Sequence, residues 1–183
     1  MGEIPRSEQQ EEEPKIGIEE FLEKHEEQVI GLINDIYENE LGWHSKSGRP
    51  DLEVIPKMYQ KNDGNFWVAC ENERVVGTIG LLDEGEKRAT LHRFCVQKEF
   101  RGQDKKVSSS LFSTLLEFAE KRKLQKIFLA THDQAVPAMK FYDKAGFKRI
   151  KFESLPDDIA GRSYMGKDDI IYELDLDVEE KTK

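Results

Sequence analysis

The sequence predicts a mixed α/β (α+β) domain with a central, mostly antiparallel sheet flanked by helices. Three observations carry this. Residues 65–96 hold three runs rich in β-branched and aromatic residues, parted by Glu71-Asn72-Glu73 and Asp83-Glu84-Gly85-Glu86, which is the pattern of an antiparallel meander. Val107, Leu111, Leu115, Phe118 and Ala119 fall on one face of a helix. A short apolar run, Lys126–Thr131, a helix opened by Pro137 and closed by Gly146, and two more strand-like runs then complete the chain.

The elements follow in order. Residues 15–21 form a short strand weakly patterned by Ile16, Ile18 and Phe21, and Val29, Ile30, Ile33, Ile36 and Tyr37 set the stripe of a helix over 24–41 that Gly42 ends. A loop rich in Gly, Ser and Pro spans 43–50. Asp51 is a candidate N-cap for a second helix bearing Leu52, Ile55, Met58 and Tyr59, and Pro56 keeps that helix short or bent. After the turn Asn62-Asp63-Gly64 come strands over 65–70, 74–82 and 87–96. A charged loop over 97–106 leads into the helix over 107–123. Ala138, Phe141, Tyr142 and Ala145 stripe the last helix. Strands over 147–154 and 168–176 close the domain, joined by a loop containing Pro156 and Gly161.

Composition bounds the function. The chain has 183 residues, 28 Lys+Arg and 37 Asp+Glu, a net charge of −9, which argues against binding nucleic acid or an anionic membrane through bulk charge. Two cysteines 25 positions apart give neither a disulfide framework nor a metal-ligand spacing. No apolar run is long enough to span a bilayer and the N-terminus has no secretory pattern, so a soluble cytoplasmic protein is expected. Residues 1–14, with five Glu and one Arg, read as a disordered acidic tail. Residues 177–183 read as a second tail, and 15–176 as one domain.

No glycine-rich nucleotide fingerprint is present. The motif order is more informative: LHRFCV at 91–96, FRGQ at 100–103, the helix from Val107, and KFYDKAGFKRI at 140–150, with FWVACENERVVGTIGL at 66–81 upstream and IIYELDL at 170–176 at the end. Together these resemble the GCN5-related N-acetyltransferase (GNAT) superfamily over most of 15–176. The resemblance implies the GNAT fold, in which the sheet splays, and acetyl-CoA as co-substrate. It also implies direct transfer of an acetyl group to a primary amine, on a small molecule or a peptide, in a ternary complex.

The resemblance also implies site residues. The loop before the long helix would hold the pyrophosphate through Gln103, Asp104, Lys105, Lys106, Val107, Ser108 and Ser109, where a helix N-terminus offers unpaired N–H groups to an anion. The family pattern is Arg/Gln-x-x-Gly-x-Gly/Ala, so Lys106 and Ser108 stand where glycines are usual. Lys105, Lys106 and the hydroxyls of Ser108, Ser109 and Ser110 compensate in part. The plainer reading is a solvated basic loop. The backbone of Phe94, Cys95 and Val96 would bind the pantetheine arm and polarise the thioester carbonyl. Cys95 itself reads as a small core residue.

Tyr142 matches the family's general acid, a phenol able to serve the departing thiolate; the alternative is a packing role beside Phe141 and Ala138. His92 is the leading candidate for the base that takes the amine proton, with period two placing it on the strand face of Thr90 and Phe94. Glu40, Asp51 or a water chain are its rivals, and a buried structural histidine is the plainer reading. Ala135 replaces an Asn that the family often uses on pantetheine. Lys106 and Ala135 motivate a second reading, a degenerate GNAT-fold module that binds acyl-CoA, or a partner, without turnover. No metal site is expected.

Overall fold

A computed structural model describes residues 15–44, 49–61, 63–102, 104–162 and 164–176. The two expected tails and Gln103 lie outside these residues. The strands are β1 (Ile16–Glu20), β2 (Asn65–Glu71), β3 (Arg74–Gly85), β4 (Arg88–Val96), β5 (Lys126–Thr131), β6 (Lys148–Ile150) and β7 (Ile170–Asp175). The helices are α1 (Glu26–Asp35), α2 (Val107–Lys121), α3 (Val136–Lys144) and the single turn α4 (Asp157–Ala160).

The strands form one sheet in the order β1-β2-β3-β4-β5-β7-β6. Every neighbouring pair is antiparallel except β4 with β5. The sheet separates apolar layers. On one face Val107, Leu111, Leu115 and Ala119 of α2 pack with Tyr142 of α3 against Val76, Ile79 and Leu91. Leu111 and Leu115 are fully buried, each contributing roughly 2 kcal/mol of transfer free energy. On the other face Val29, Leu32 and Ile33 of α1 pack with Leu52, Ile55 and Tyr59 against Phe66 and Val68. Ile159 of α4 and Met165 cover Phe128 and Ile171 beyond.

Several elements differ from the sequence expectation. The helix over 24–41 begins as a 3-10 turn, Glu23–His25, and widens into a π turn, Ile36–Glu40, before Gly42 stops it at φ +68. The hairpin turn falls one step later than Asp83–Glu86. Glu86 and Lys87 take left-handed φ values of 50 and 61, the geometry of a tight primed turn, so Glu84 belongs to β3. The strand over 147–154 is only β6, because Phe152–Ser154 coil into a 3-10 turn ahead of Pro156. Asp51 makes no side-chain capping bond; Arg93 holds its carboxylate instead. Trp67 is buried in the core, as its strand position suggests. Among the described residues, no helix is long and apolar enough to cross a membrane.

Candidate functional site

β4 and β5 run side by side for only three residue pairs, Arg88↔Lys126, Ala89↔Ile127 and Thr90↔Phe128. Past Thr90 they diverge, and Leu129–Thr131 pair with β7 alone. The far half of β4 thus presents an open edge to a cavity of about 1170 Å³. Tyr37 and Glu40 line it from the α1 side, and Phe112, Phe141 and Tyr142 from the α2–α3 side. The lining therefore draws on residues from both faces of the sheet.

A bulge in β4 distributes side chains between those faces. Cys95 pairs with Thr78 and His92 with Gly80, so Arg93 and Phe94 together oppose Ile79. Arg93 sits at φ +49, and the Thr78 hydroxyl donates to its carbonyl at 2.7 Å. The extra residue breaks strict alternation. His92 and Arg93 both turn to the α1 side, where His92 meets the Tyr59 ring at 6.1 Å and Arg93 reaches Asp51. Phe94 turns the other way, onto Phe141 at 5.0 Å and Tyr142 at 6.2 Å. The expected common face of His92 and Phe94 is thereby corrected.

Both carboxylates that rival His92 as base are engaged in ion pairs. Asp51 takes two bonds from Arg93, at 2.8 and 2.7 Å, and one from the Tyr59 hydroxyl at 3.2 Å. Burial raises its pKa, but the Arg93 and Tyr59 contacts outweigh this and hold it below the ordinary value. Glu40 takes two bonds from Arg101, at 2.6 and 2.9 Å.

His92 has a different setting. Burial, then the charge of Arg93, lowers its pKa to about 4, so the imidazole is neutral near pH 7. Its Nε2 lies 2.9 Å from Thr90 Oγ1, and the Tyr164 ring stands edge-on at 4.6 Å. Sequence reasoning missed Tyr164, which comes from the β6–β7 connection, and Glu84, which the acidic turn pattern concealed.

Tyr142 is 5 % exposed and lines the cavity. Burial raises its phenol well above the ordinary range, with smaller contributions from Tyr37 and Cys95. Among the described residues its hydroxyl has no hydrogen-bond partner. Cys95 is buried and its thiol is pushed up to about 12, chiefly by burial, so it is a poor nucleophile. The Val96 carbonyl accepts from Arg101 Nε at 2.7 Å, which commits that oxygen to the protein.

At the start of α2, Asp104 and Lys105 form a turn and Lys106 sits at φ +55, the left-handed region that favours glycine. The first helical bond at this end runs from the Ser110 N–H to the Lys106 carbonyl at 2.9 Å. The N–H groups of Val107, Ser108 and Ser109 precede it, and among the described residues no side chain caps them. Lys106, Ser108 and Ser109 line the cavity, whereas the Val107 side chain is in the core. The Ser109 hydroxyl donates back to the Lys106 carbonyl at 2.8 Å.

Ala135, at the N-terminus of α3, completes this wall. Trp43 closes the rim by donating from Nε1 to Gln134 Oε1 at 3.2 Å and packing on His132, which pairs with Asp169 at 3.3 Å.

Away from the cavity, Glu19, His25 and Cys70 bring metal-ligating types within 4.8 Å of one another. His25 Nδ1 accepts the Leu22 N–H at 3.1 Å. That bond leaves the ring proton on Nε2, the nitrogen facing Glu19 at 3.5 Å, so the atom a metal would need is protonated.

Comparison with known proteins agrees with this architecture. The family model described as "Acetyltransferase (GNAT) family" matches residues 9–147. Human N-acetyltransferase 8B is 36 % identical over 107 residues, which is 55 % of this chain and 46 % of that protein. The chain spans about half the length of the curated relatives it matches. An acetyltransferase structure from Streptococcus agalactiae superposes with a TM-score of 0.81 at 31 % identity, covering 88 % of this chain and 98 % of that one. The PaiA N-acetyltransferase of Thermoplasma acidophilum, solved in complex with coenzyme A, shares the fold with a TM-score of 0.69 at 20 % identity, covering 88 % and 99 %. With a splayed sheet, an open β4 edge and a family match across most of its length, this chain belongs to the GNAT acetyltransferase family.

Proposed function

We propose that the chain is an N-acetyltransferase that moves an acetyl group from acetyl-CoA to a primary amine by direct attack. One observation carries this: the open edge of β4 beyond Thr90, the N-terminus of α2 and Tyr142 all border one cavity. The coenzyme A bound to the Thermoplasma relative supports acetyl-CoA as the donor.

In this reading the N–H groups of Val107, Ser108 and Ser109 receive the pyrophosphate, with Lys105 and Lys106 adding positive charge. Asp104 belongs to the turn just before them, and Gln103 precedes it in the sequence. The backbone of Phe94, Cys95 and Val96 binds the pantetheine arm, and an N–H there polarises the thioester carbonyl. The neutral amine attacks that carbon, a tetrahedral intermediate forms, and the C–S bond breaks. A phenol held well above its ordinary range keeps its proton, so Tyr142 acts by donating a hydrogen bond to the departing sulfur. His92 receives the amine proton after attack, when the bonded nitrogen has become acidic enough to give it to a weak imidazole base.

A second reading, binding of acyl-CoA without turnover, is favoured by the strained Lys106 and by Ala135 at the cavity wall. Calorimetric titration with acetyl-CoA, followed by thiol release across an amine panel, separates the two. Binding with amine-dependent thiol release supports transfer, and binding without it supports the second reading. Absence of binding at millimolar acetyl-CoA overturns both.

A further inference from the structure

Behind His92 lies a hydrogen-bonded chain that ends in a buried carboxylate. The Glu84 side chain is 3 % exposed. Its Oε1 accepts from the Thr90 hydroxyl at 2.7 Å and also from the Tyr164 hydroxyl, while its Oε2 lies 3.3 Å from Arg162. Thr90, fully buried, is in turn 2.9 Å from His92 Nε2.

The proton count determines the direction of each bond. A threonine hydroxyl has one proton, and here it points to Glu84, whose carboxylate is surrounded by donors and gives none back. The Thr90 oxygen can therefore only accept from His92, which places the ring proton on Nε2 and a lone pair on Nδ1. Among the described residues Nδ1 has no hydrogen-bond partner, and the imidazole borders the cavity. The rings of Tyr164 and Tyr59 meet it at 89° and 68° and restrict its rotation.

We propose that Glu84 and Thr90 are positioning residues that hold His92 as the Nε2–H tautomer, so that Nδ1 faces the acceptor amine. The inference rests on the acetyl-transfer reading for its function, but not for its geometry. In the step it serves, the acceptor N–H bond breaks and an Nδ1–H bond forms. Nε2 keeps its proton, Thr90 keeps its own, and Glu84 remains a carboxylate. The new positive charge on the ring is linked through one hydroxyl to a fixed negative charge, which offsets part of the cost of charging a buried imidazole. The other charged or titratable groups around the ring are Arg93 with its partner Asp51, Tyr59, Tyr164, and Arg162 on Glu84.

Long-range proton–nitrogen NMR of the histidine-labelled chain tests this, with His92→Gln assigning the signal. The expected result is an Nε2–H tautomer in the wild type and in Thr90→Ser, giving way to a mixture in Thr90→Val and Glu84→Gln. An Nδ1–H tautomer in the wild type, or no change in a folded Thr90→Val or Glu84→Gln, overturns the inference. In thiol-release assays Thr90→Val lowers kcat on the order of tenfold, leaves the KM for acetyl-CoA unchanged, and is rescued by Thr90→Ser. An unchanged kcat alongside a lost tautomer overturns the positioning role. A locked tautomer in a chain that releases no thiol overturns the acetyl-transfer reading alone. A missing lock in a chain that turns over overturns this inference alone.

Discussion

Arg93 donates to both carboxylate oxygens of Asp51, from Nε at 2.8 Å and from Nη2 at 2.7 Å. The pair ties the bulged centre of β4 to the 3-10 turn at Leu52–Val54, and its side chains are 18 % and 13 % exposed. Asp51→Asn removes one partner of a nearly buried ion pair and is expected to cost about 3 kcal/mol at neutral pH. The Asp51 pKa is lowered in the fold, so its contribution is complete above the ordinary carboxyl value of 3.8 and is lost as pH falls through the folded value. Urea unfolding at several pH values should show the gap between wild type and variant narrowing below that point. A constant gap would refute the assignment.

His92 makes stability depend on pH in a second window. Its pKa falls from 6.5 to about 4 on folding, so the unfolded chain binds the extra proton first. Stability is complete above 6.5 and declines toward 4, with a slope of at most about 1.4 kcal/mol per pH unit. His92→Gln is expected to remove that slope. His25, also lowered chiefly by burial, titrates in the same direction in both chains and cancels in the difference. Equal slopes in the two chains would place His92 in a more solvated setting than this cavity.

Tyr142→Phe is expected to lower kcat roughly 100-fold while the calorimetric affinity for acetyl-CoA stays within about twofold. The ring still packs on Phe147 and Tyr172 at 5.6 and 5.5 Å, so unfolding midpoints should hardly change. Unchanged turnover would remove the phenol from the reaction.

Lys106→Gly relieves a left-handed backbone and is expected to raise the unfolding free energy by roughly 0.5–1 kcal/mol. Lys106→Gln keeps the backbone cost and removes only the charge, so it should leave stability unchanged and weaken acetyl-CoA binding in a salt-dependent way. If the glycine variant is less stable than wild type, the αL conformation at 106 is wrong.

Part of this fold and site is legible in the sequence alone. The α2 stripe and the β2–β4 meander were legible because apolar spacing reports directly on which residues a local element buries. Pro137 and Gly146 likewise marked the ends of α3 through backbone chemistry alone. The orientation of His92 was not legible. It depends on whether Arg93 or Phe94 opposes Ile79, which is a matter of register between distant segments. Glu84 was hidden because Asp83-Glu84-Gly85-Glu86 has turn composition, while the turn itself formed at Glu86 and Lys87. Asp51 has the chemistry of a cap and the position of one, yet a guanidinium from a strand 42 positions along the chain outcompetes the nearby N–H groups. Lys106 was recognisable as a lysine at a glycine position, but its strain was visible only in φ.

The three residue pairs joining β4 to β5 have a mechanical consequence. They lie at one end of the divergence, so the two parts of the sheet behave as plates that share a short edge. Spreading them at the wide end breaks no rung of the ladder, because none exists there. What resists spreading is side-chain packing: Phe94 on Phe141 and Tyr142, and the apolar cluster that joins Leu91 of β4 to Leu129 of β5, bridge the gap in place of backbone bonds.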